Sequence, residues 1–287
     1  MTHVVTQPMT PLRSASGRLE LRQLPAAQDN LIWLLVAVET GEAAAIDGPD
    51  AGPLLEACAA HGFRLTTIFN THTHHDHIGV NRDLARRGLL SGLRVVGSSL
   101  KRTEVPGLTH PVDDGDIVSF GGVEGQVMLT EGHIDGHVSY LFDDFLFCGD
   151  TLFTGGCGYL FDGPPEKMYR SLSRLRDLPR DTYVCCAHEY TEDNLRFAWT
   201  LEPENAALEE RICSTWTVRA TGASVVPSTI GLECDTNPFL RYDVAALRVR
   251  VVGEQAGELS DPEIFARTRE LKDTKRYRAL GDTHLPL

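Results

Sequence analysis

The chain has 287 residues, of which 42% are hydrophobic and 23% charged, and a formal net charge of −13. That is globular composition, long enough for one large domain with a smaller appendage, and it excludes a disordered or fibrous polymer. The acidic balance argues against nucleic acid as a partner, since a phosphate backbone needs clustered cations, and no run approaches the ~20 apolar residues of a membrane span.

Residues 1–18 lack the continuous apolar stretch of a secretory leader and read as a flexible N-terminal segment, so a cytoplasmic protein is expected. The seven cysteines form no C-x-x-C pair, and adjacent Cys185 and Cys186 are poorly placed to bridge each other, which fits a reducing compartment. Cys148 and Cys185 lie in apolar runs and read as structural thiols without chemistry.

Apolar runs predict strands over Leu31 to Val38, Ala43 to Ile46, Leu65 to Asn70 and Leu93 to Gly97. Asp50 is placed to cap a helix through Leu54, Leu55 and Cys58, and a second helix is expected from Asp76 to about Arg87. From Asp116 the texture becomes a meander, with strands over Ile117 to Phe120, Gly125 to Leu129, Val138 to Phe142 and Phe145 to Cys148. A Pro-started helix through Met168, Leu172 and Leu175 then leads into a strand over Tyr183 to Ala187. Beyond Tyr190 the chain turns helical and charged, with helices over Asn205 to Trp216 and Pro262 to Arg276, the latter opened by a Ser260–Glu263 capping box. The expected organisation is the N-terminal segment 1–18, an α/β catalytic domain over 19–190 and a small helical domain over 191–287.

The run Thr71-His72-Thr73-His74-His75-Asp76-His77 follows a predicted strand. Mixed imidazole and carboxylate donors suit zinc, iron or manganese, and with no cysteine nearby they point to an open catalytic site rather than a closed structural one. His133, Asp150 and His188 each follow a later strand-like run, and strand ends that deliver polar groups to one sheet edge are a rigid way to assemble a site. His3, His61, His110 and His284 have no such context, while His75 and His137 read as structural or as supports behind the ligands.

His72-x-His74-x-Asp76-His77, with His133, Asp150 and His188 in order, resembles the ligand signature of the metallo-β-lactamase superfamily. Within it the chain resembles the glyoxalase II (hydroxyacylglutathione hydrolase) family through Gly149-Asp150-Thr151-Leu152-Phe153, Gly156-Cys157-Gly158, His188-Glu189-Tyr190-Thr191 and Asn237-Pro238-Phe239. The resemblance implies a four-layer αβ/βα sandwich with a small helical C-terminal domain and a site for two divalent ions. It also implies that His72, His74 and His133 hold one ion, that Asp76, His77 and His188 hold the other, and that Asp150 bridges them. Tyr190, and the pair Arg269 and Lys272 three apart on the last long helix, resemble the family's glutathione contacts.

Such ions lower the pKa of water to about 7 and polarise a carbonyl, so no Ser-His-Asp triad is needed. A thiolate, whose conjugate acid has a pKa of about 8.5, leaves without a general acid, which favours thioesters. The implied activity is hydrolysis of S-(2-hydroxyacyl)glutathione by a monomeric enzyme. The chain departs from the family after Gly-Cys-Gly, where Tyr159 and Phe161 stand in place of a Lys or Arg and an aromatic that is often Tyr. That leaves open a thioester of another thiol. The rival readings are a persulfide dioxygenase with a single iron and, last, a metal-bound scaffold without turnover.

Overall fold

The computed structural model describes residues 3–287. Its first sheet runs β1 (Leu12–Arg13), β2 (Leu19–Ala26), β3 (Asn30–Ala37), β4 (Glu42–Ile46), β5 (Arg64–Phe69), β6 (Arg94–Ser98) and β7 (His110–Val112), in spatial as well as chain order. Helix α1 (Gly52–His61) makes the crossover from β4 to its parallel neighbour β5, and α2 (Gly79–Arg86) the one from β5 to β6. The second sheet contains β8 (Ile117–Phe120), β9 (Val123–Leu129), β10 (Val138–Phe142) and β11 (Phe145–Gly149). After a small hairpin of β12 (Leu152–Phe153) and β13 (Gly156–Cys157) and helix α3 (Pro165–Arg176), β14 (Tyr183–Cys186) pairs parallel to β11.

The layers follow from alternation along the strands. On β3, Trp33 and Leu35 enter the core shared with Phe69, Phe142 and Phe147, whereas Ile32, Leu34 and Val36 pack against Leu54, Cys58 and Leu84 of α1 and α2. A strand buried on both faces reads as one apolar run, which is why β3 was visible without a period. The chain has the metallo-β-lactamase fold, helix on sheet on sheet on helix.

Helices α4 (Thr191–Leu201), α5 (Ala206–Arg219), α6 (Ile230–Thr236), α7 (Ala245–Val252) and α8 (Asp261–Asp273) complete the chain. They are tied into the sandwich: β15 (Ser228–Thr229) adds an edge to β14, and Phe239, Ile264 and Phe265 belong to the same core as Phe147 and Val184. The capping box is present, with Glu263 accepting the Ser260 N–H at 2.8 Å.

Several expectations need correction. From His3 onward the N-terminal segment is docked rather than loose: Val5 is buried, Gln7 bridges to Ala223 and β1 pairs with β2, while Met1 and Thr2 lie outside the described residues. Strand β2 was missed because Pro25 and the charged residues between Leu19, Leu21 and Leu24 mask its period of two. The second helix starts at Gly79, not Asp76; before it, His77 and Ile78 both donate to the His74 carbonyl, closing a turn that spreads the ligand side chains. Asp50 accepts the Gly52 N–H at 2.8 Å, but the N-cap residue of α1 is Ala51.

Candidate metal centre

The chain leaves β5 at Phe69, β11 at Gly149 and β14 at Cys186, and the His72–His77 turn, Asp150 and His188 follow directly on one edge of the sandwich. His133 sits in the loop between β9 and β10. The close approach of a further loop requires Gly158, where a Cβ would lie 1.9 Å from the Asp150 carbonyl oxygen.

Two groups of donors converge there. In one, His74 Nδ1 is 3.1 Å from His72 Nε2 and 3.0 Å from His133 Nε2, with Asp150 Oδ2 3.5 Å from the latter. In the other, Asp76 Oδ2 lies 3.7 Å from His77 Nε2 and 3.4 Å from His188 Nε2, and Asp150 Oδ1 lies 3.4 and 3.5 Å from the same two nitrogens. A tetrahedral ion with bonds of about 2.0–2.1 Å separates its ligands by roughly 3.3 Å, so both groups have the spacing of coordination shells. His77 Nε2 and Asp150 Oδ1 are buried with no hydrogen-bond partner, a costly state for polar atoms unless a cation takes their lone pairs.

The electrostatics match this arrangement. Burial, then repulsion from His77, His137, His133 and His74, pushes the His72 pKa well down, leaving a neutral imidazole. Burial opposes charge on His77 and His188, but Asp150 with Asp47 pulls His77 well up, and Asp150 with Asp29 raises His188 to about 9. Against its own burial, Asp150 is held far below the carboxylate range by His77 and His188.

A cleft of about 700 Å³ lies beside the donors, and aromatic rings that pack on them form part of its lining. Phe161 packs edge-on to His74 and His133, with centroids 5.2 Å from each, and Tyr190 stacks on His188. Phe161, Tyr190 and Tyr159 line the cleft together with Arg269 and Lys272 of α8. The two cations are only 6% and 7% exposed; Arg269 donates to the Cys157 carbonyl at 3.2 Å and Lys272 to Asn194 Oδ1 at 2.6 Å. Tyr159, by contrast, is 53% exposed. Its carbonyl accepts from His133 Nδ1 at 2.7 Å, so the cleft wall and a donor of the centre share one backbone segment.

The model of the metallo-β-lactamase superfamily matches residues 38–188, and that of the hydroxyacylglutathione hydrolase C-terminus matches residues 189–275. The chain is 48% identical over 258 residues to a hydroxyacylglutathione hydrolase of Synechococcus sp. (strain JA-2-3B'a(2-13)), covering 89% of this chain and 99% of that one. It is 45% identical over 260 residues to one from Methylococcus capsulatus, covering 90% and 99%. The chain belongs to the hydroxyacylglutathione hydrolase family. Among solved structures, ETHE1 from Myxococcus xanthus superposes with a TM-score of 0.58 at 24% identity, over 93% of this chain and 96% of that one, a likeness of fold.

In this family member all seven donors read from the sequence come together, and Tyr159, Phe161, Tyr190, Arg269 and Lys272 share one cleft. His137 is buried behind the centre, where its Nε2 accepts the Asp150 N–H at 3.2 Å, whereas the His75 side chain is 87% exposed, with Nδ1 3.8 Å from Asp76 Oδ1. Two acids escaped the sequence reading. Asp47 accepts from His77 Nδ1 at 3.0 Å and from Thr71, and Asp29 accepts from His188 Nδ1 at 2.8 Å. Asp47 directly follows the apolar run Ala43–Ile46, the same strand-end signal that exposed Asp150; Asp29 sits in the turn before β3 and carries no such mark.

Proposed function

We propose that the chain hydrolyses S-(2-hydroxyacyl)glutathione, S-D-lactoylglutathione foremost, to glutathione and a 2-hydroxy acid. One observation carries this reading: the aromatic rings against His74, His133 and His188 also line the cleft that the buried Arg269 and Lys272 line. Both relatives quoted above bear the name of that activity.

His72, His74 and His133 would hold one divalent ion and Asp76, His77 and His188 a second, with Asp150 between them. Zinc fits the imidazole-rich, four-donor spacing, and iron or manganese are the alternatives. Ions in such a site lower the pKa of water to about 7 and polarise a carbonyl oxygen. Arg269 and Lys272 would then hold a glutathione carboxylate within the same cleft. Phe161 and Tyr190 offer ring faces beside His74, His133 and His188 against which the acyl side of the thioester would lie. The C–S bond breaks as water adds its hydroxyl to the acyl carbon and its proton passes to the departing sulfur, whose low basicity dispenses with a protein acid.

We take the enzyme to act as a monomer in the cytoplasm, where the product of methylglyoxal and glutathione would be the substrate class; the seven unpaired cysteines are in keeping with a reducing compartment. No helix of the structure is long and apolar enough to cross a membrane. The test is thiol release from S-D-lactoylglutathione by protein whose metal content has been counted. Protein holding two ions that releases no thiol, or that consumes oxygen with glutathione persulfide, would overturn the reading. A second reading, a thioester of a different thiol, is favoured only by Tyr159 and would show as faster turnover of that thioester.

A further inference from the structure

The two donor groups are backed differently. Behind the His72, His74 and His133 group the supporting atoms are neutral: His72 Nδ1 meets the Thr71 hydroxyl at 3.1 Å, and His133 Nδ1 donates to the Tyr159 carbonyl at 2.7 Å. Behind the Asp76, His77 and His188 group both imidazoles donate to carboxylates, His77 to Asp47 at 3.0 Å and His188 to Asp29 at 2.8 Å. That group also owns Asp76, whereas the first shares only Asp150. Asp47 also lies near the first group, a carboxylate oxygen within 4.8 Å of a His72 ring nitrogen, but it makes no hydrogen bond to His72: its bond on that side is to Thr71, whose hydroxyl donates to it at 2.6 Å.

The Asp29 connection is built into the fold. The Asp29 carbonyl accepts the Glu189 N–H at 3.0 Å, Leu31 N–H donates to the Ala187 carbonyl at 2.7 Å, and Asn30 forms a bridge with His188. The neighbouring Asn30 side chain donates to Asp76 Oδ2 at 3.0 Å. One turn of the first sheet therefore sets both a histidine and a carboxylate of the second group. The His3 ring, 2.9 Å from the Asn30 carbonyl, holds that turn from outside.

Any acceptor behind an imidazole fixes its tautomer and orientation and raises its basicity, but a carboxylate does so more strongly than a hydroxyl or carbonyl and also adds a negative charge near the ion. We infer that the two positions are unequal, that the Asp76, His77 and His188 position binds a divalent ion more tightly than the His72, His74 and His133 position, and that Asp29 is a positioning residue responsible for much of the difference. The inference rests on the dinuclear reading above. Loading is then ordered: the carboxylate-backed position fills first and empties last.

Stepwise binding alone cannot establish this, because two dications that share Asp150 repel each other and would separate the steps at equivalent positions. The assignment comes from isolating each position. Demetallated protein is titrated with Zn²⁺ against a chelator of known affinity, and bound metal is counted by elemental analysis. His133→Ala, which keeps the carboxylate-backed position, should retain one ion at least about tenfold more tightly than His188→Ala, which keeps the other. Adding Asp29→Asn to His133→Ala should weaken the remaining position about 10- to 100-fold, the range seen when an outer partner is removed, while adding it to His188→Ala should change little. Circular dichroism of the metal-free variants checks that each remains folded, and Asp29→Glu, which keeps the charge, should recover part of the affinity in the His133→Ala background. Equal affinities for the two isolated positions, or the reverse order, would overturn the inference and leave the dinuclear reading standing. A native chain that saturates at one ion would sink both.

Discussion

The Tyr190 ring lies parallel to that of His188, 4° between planes and 4.9 Å between centroids. One residue thus serves as cleft wall while its sequence neighbour but one is a donor of the centre. The Tyr190 face toward Phe153 completes the aromatic lining, with centroids 5.3 Å apart. Burial, then the Asp29 and Asp150 carboxylates, pushes the Tyr190 pKa well up, so the phenol stays protonated throughout the physiological range.

Asp150→Asn should lose metal and activity together. A neutral amide cannot offset two dications, and the loss of affinity should exceed the roughly 10- to 100-fold expected for an outer partner. Asp76→Asn should deplete mainly one ion. Elemental analysis alongside thiol release decides it, and an Asp150→Asn protein with both ions and full activity would remove Asp150 from the bridging role.

Lys272 should make substrate binding pH-dependent. Burial, followed by repulsion from Arg269, lowers its pKa from 10.5 to about 7. The ammonium that meets a carboxylate is therefore present below about pH 7 and lost as pH rises through it. Calorimetry with S-methylglutathione should show Kd increasing between pH 6 and 8.5, with proton uptake on binding, and Lys272→Met should flatten the curve. The folded chain also binds fewer protons here than the unfolded one between about 7 and 10.5, so the cost of burying this amine shrinks as pH rises across that window. A native Kd that does not move with pH would take Lys272 out of carboxylate recognition.

Tyr159→Arg should lower KM for S-D-lactoylglutathione with kcat little changed, because a cation at the cleft rim acts equally on ground and transition states. Since the side chain is 53% exposed, the gain should be that of a solvated pair, about 0.2–1 kcal/mol or less than about sixfold. An unchanged or higher KM, together with rapid native turnover of another thioester, would mean that glutathione is not the carrier.

Glu233 is fully buried, paired with Arg211, and accepts N–H bonds from Gly155 at 2.8 Å and Asn237 at 2.9 Å. Through Gly155 it fixes the hairpin that carries Cys157 and the cleft wall. Glu233→Gln leaves the Arg211 charge uncompensated and should cost about 3–5 kcal/mol. Thermal denaturation should show Tm falling by on the order of 10 °C. The double variant Arg211→Met/Glu233→Leu should recover much of that stability, since no lone charge is left buried. If the single and double variants melt alike, the pair is not what ties the helices to the hairpin.

Much of this protein is a local property of its sequence. The continuous apolar run of β3, the Ser260–Glu263 cap and the seven donors after strand-like runs are all set by neighbours a few residues apart, because period, capping and turn chemistry act over one or two turns of chain. The tertiary structure decided what depends on distant segments. Asp29 is 159 residues from His188, and only the packing of the two sheets brings its carboxylate behind that ring. Arg269 and Lys272, exposed charges by composition, become buried because α8 closes over the β12–β13 hairpin and α4. Their desolvation, and the inequality of the two donor groups, arise from which surfaces meet, and that is settled by the summed burial of a core no local window contains.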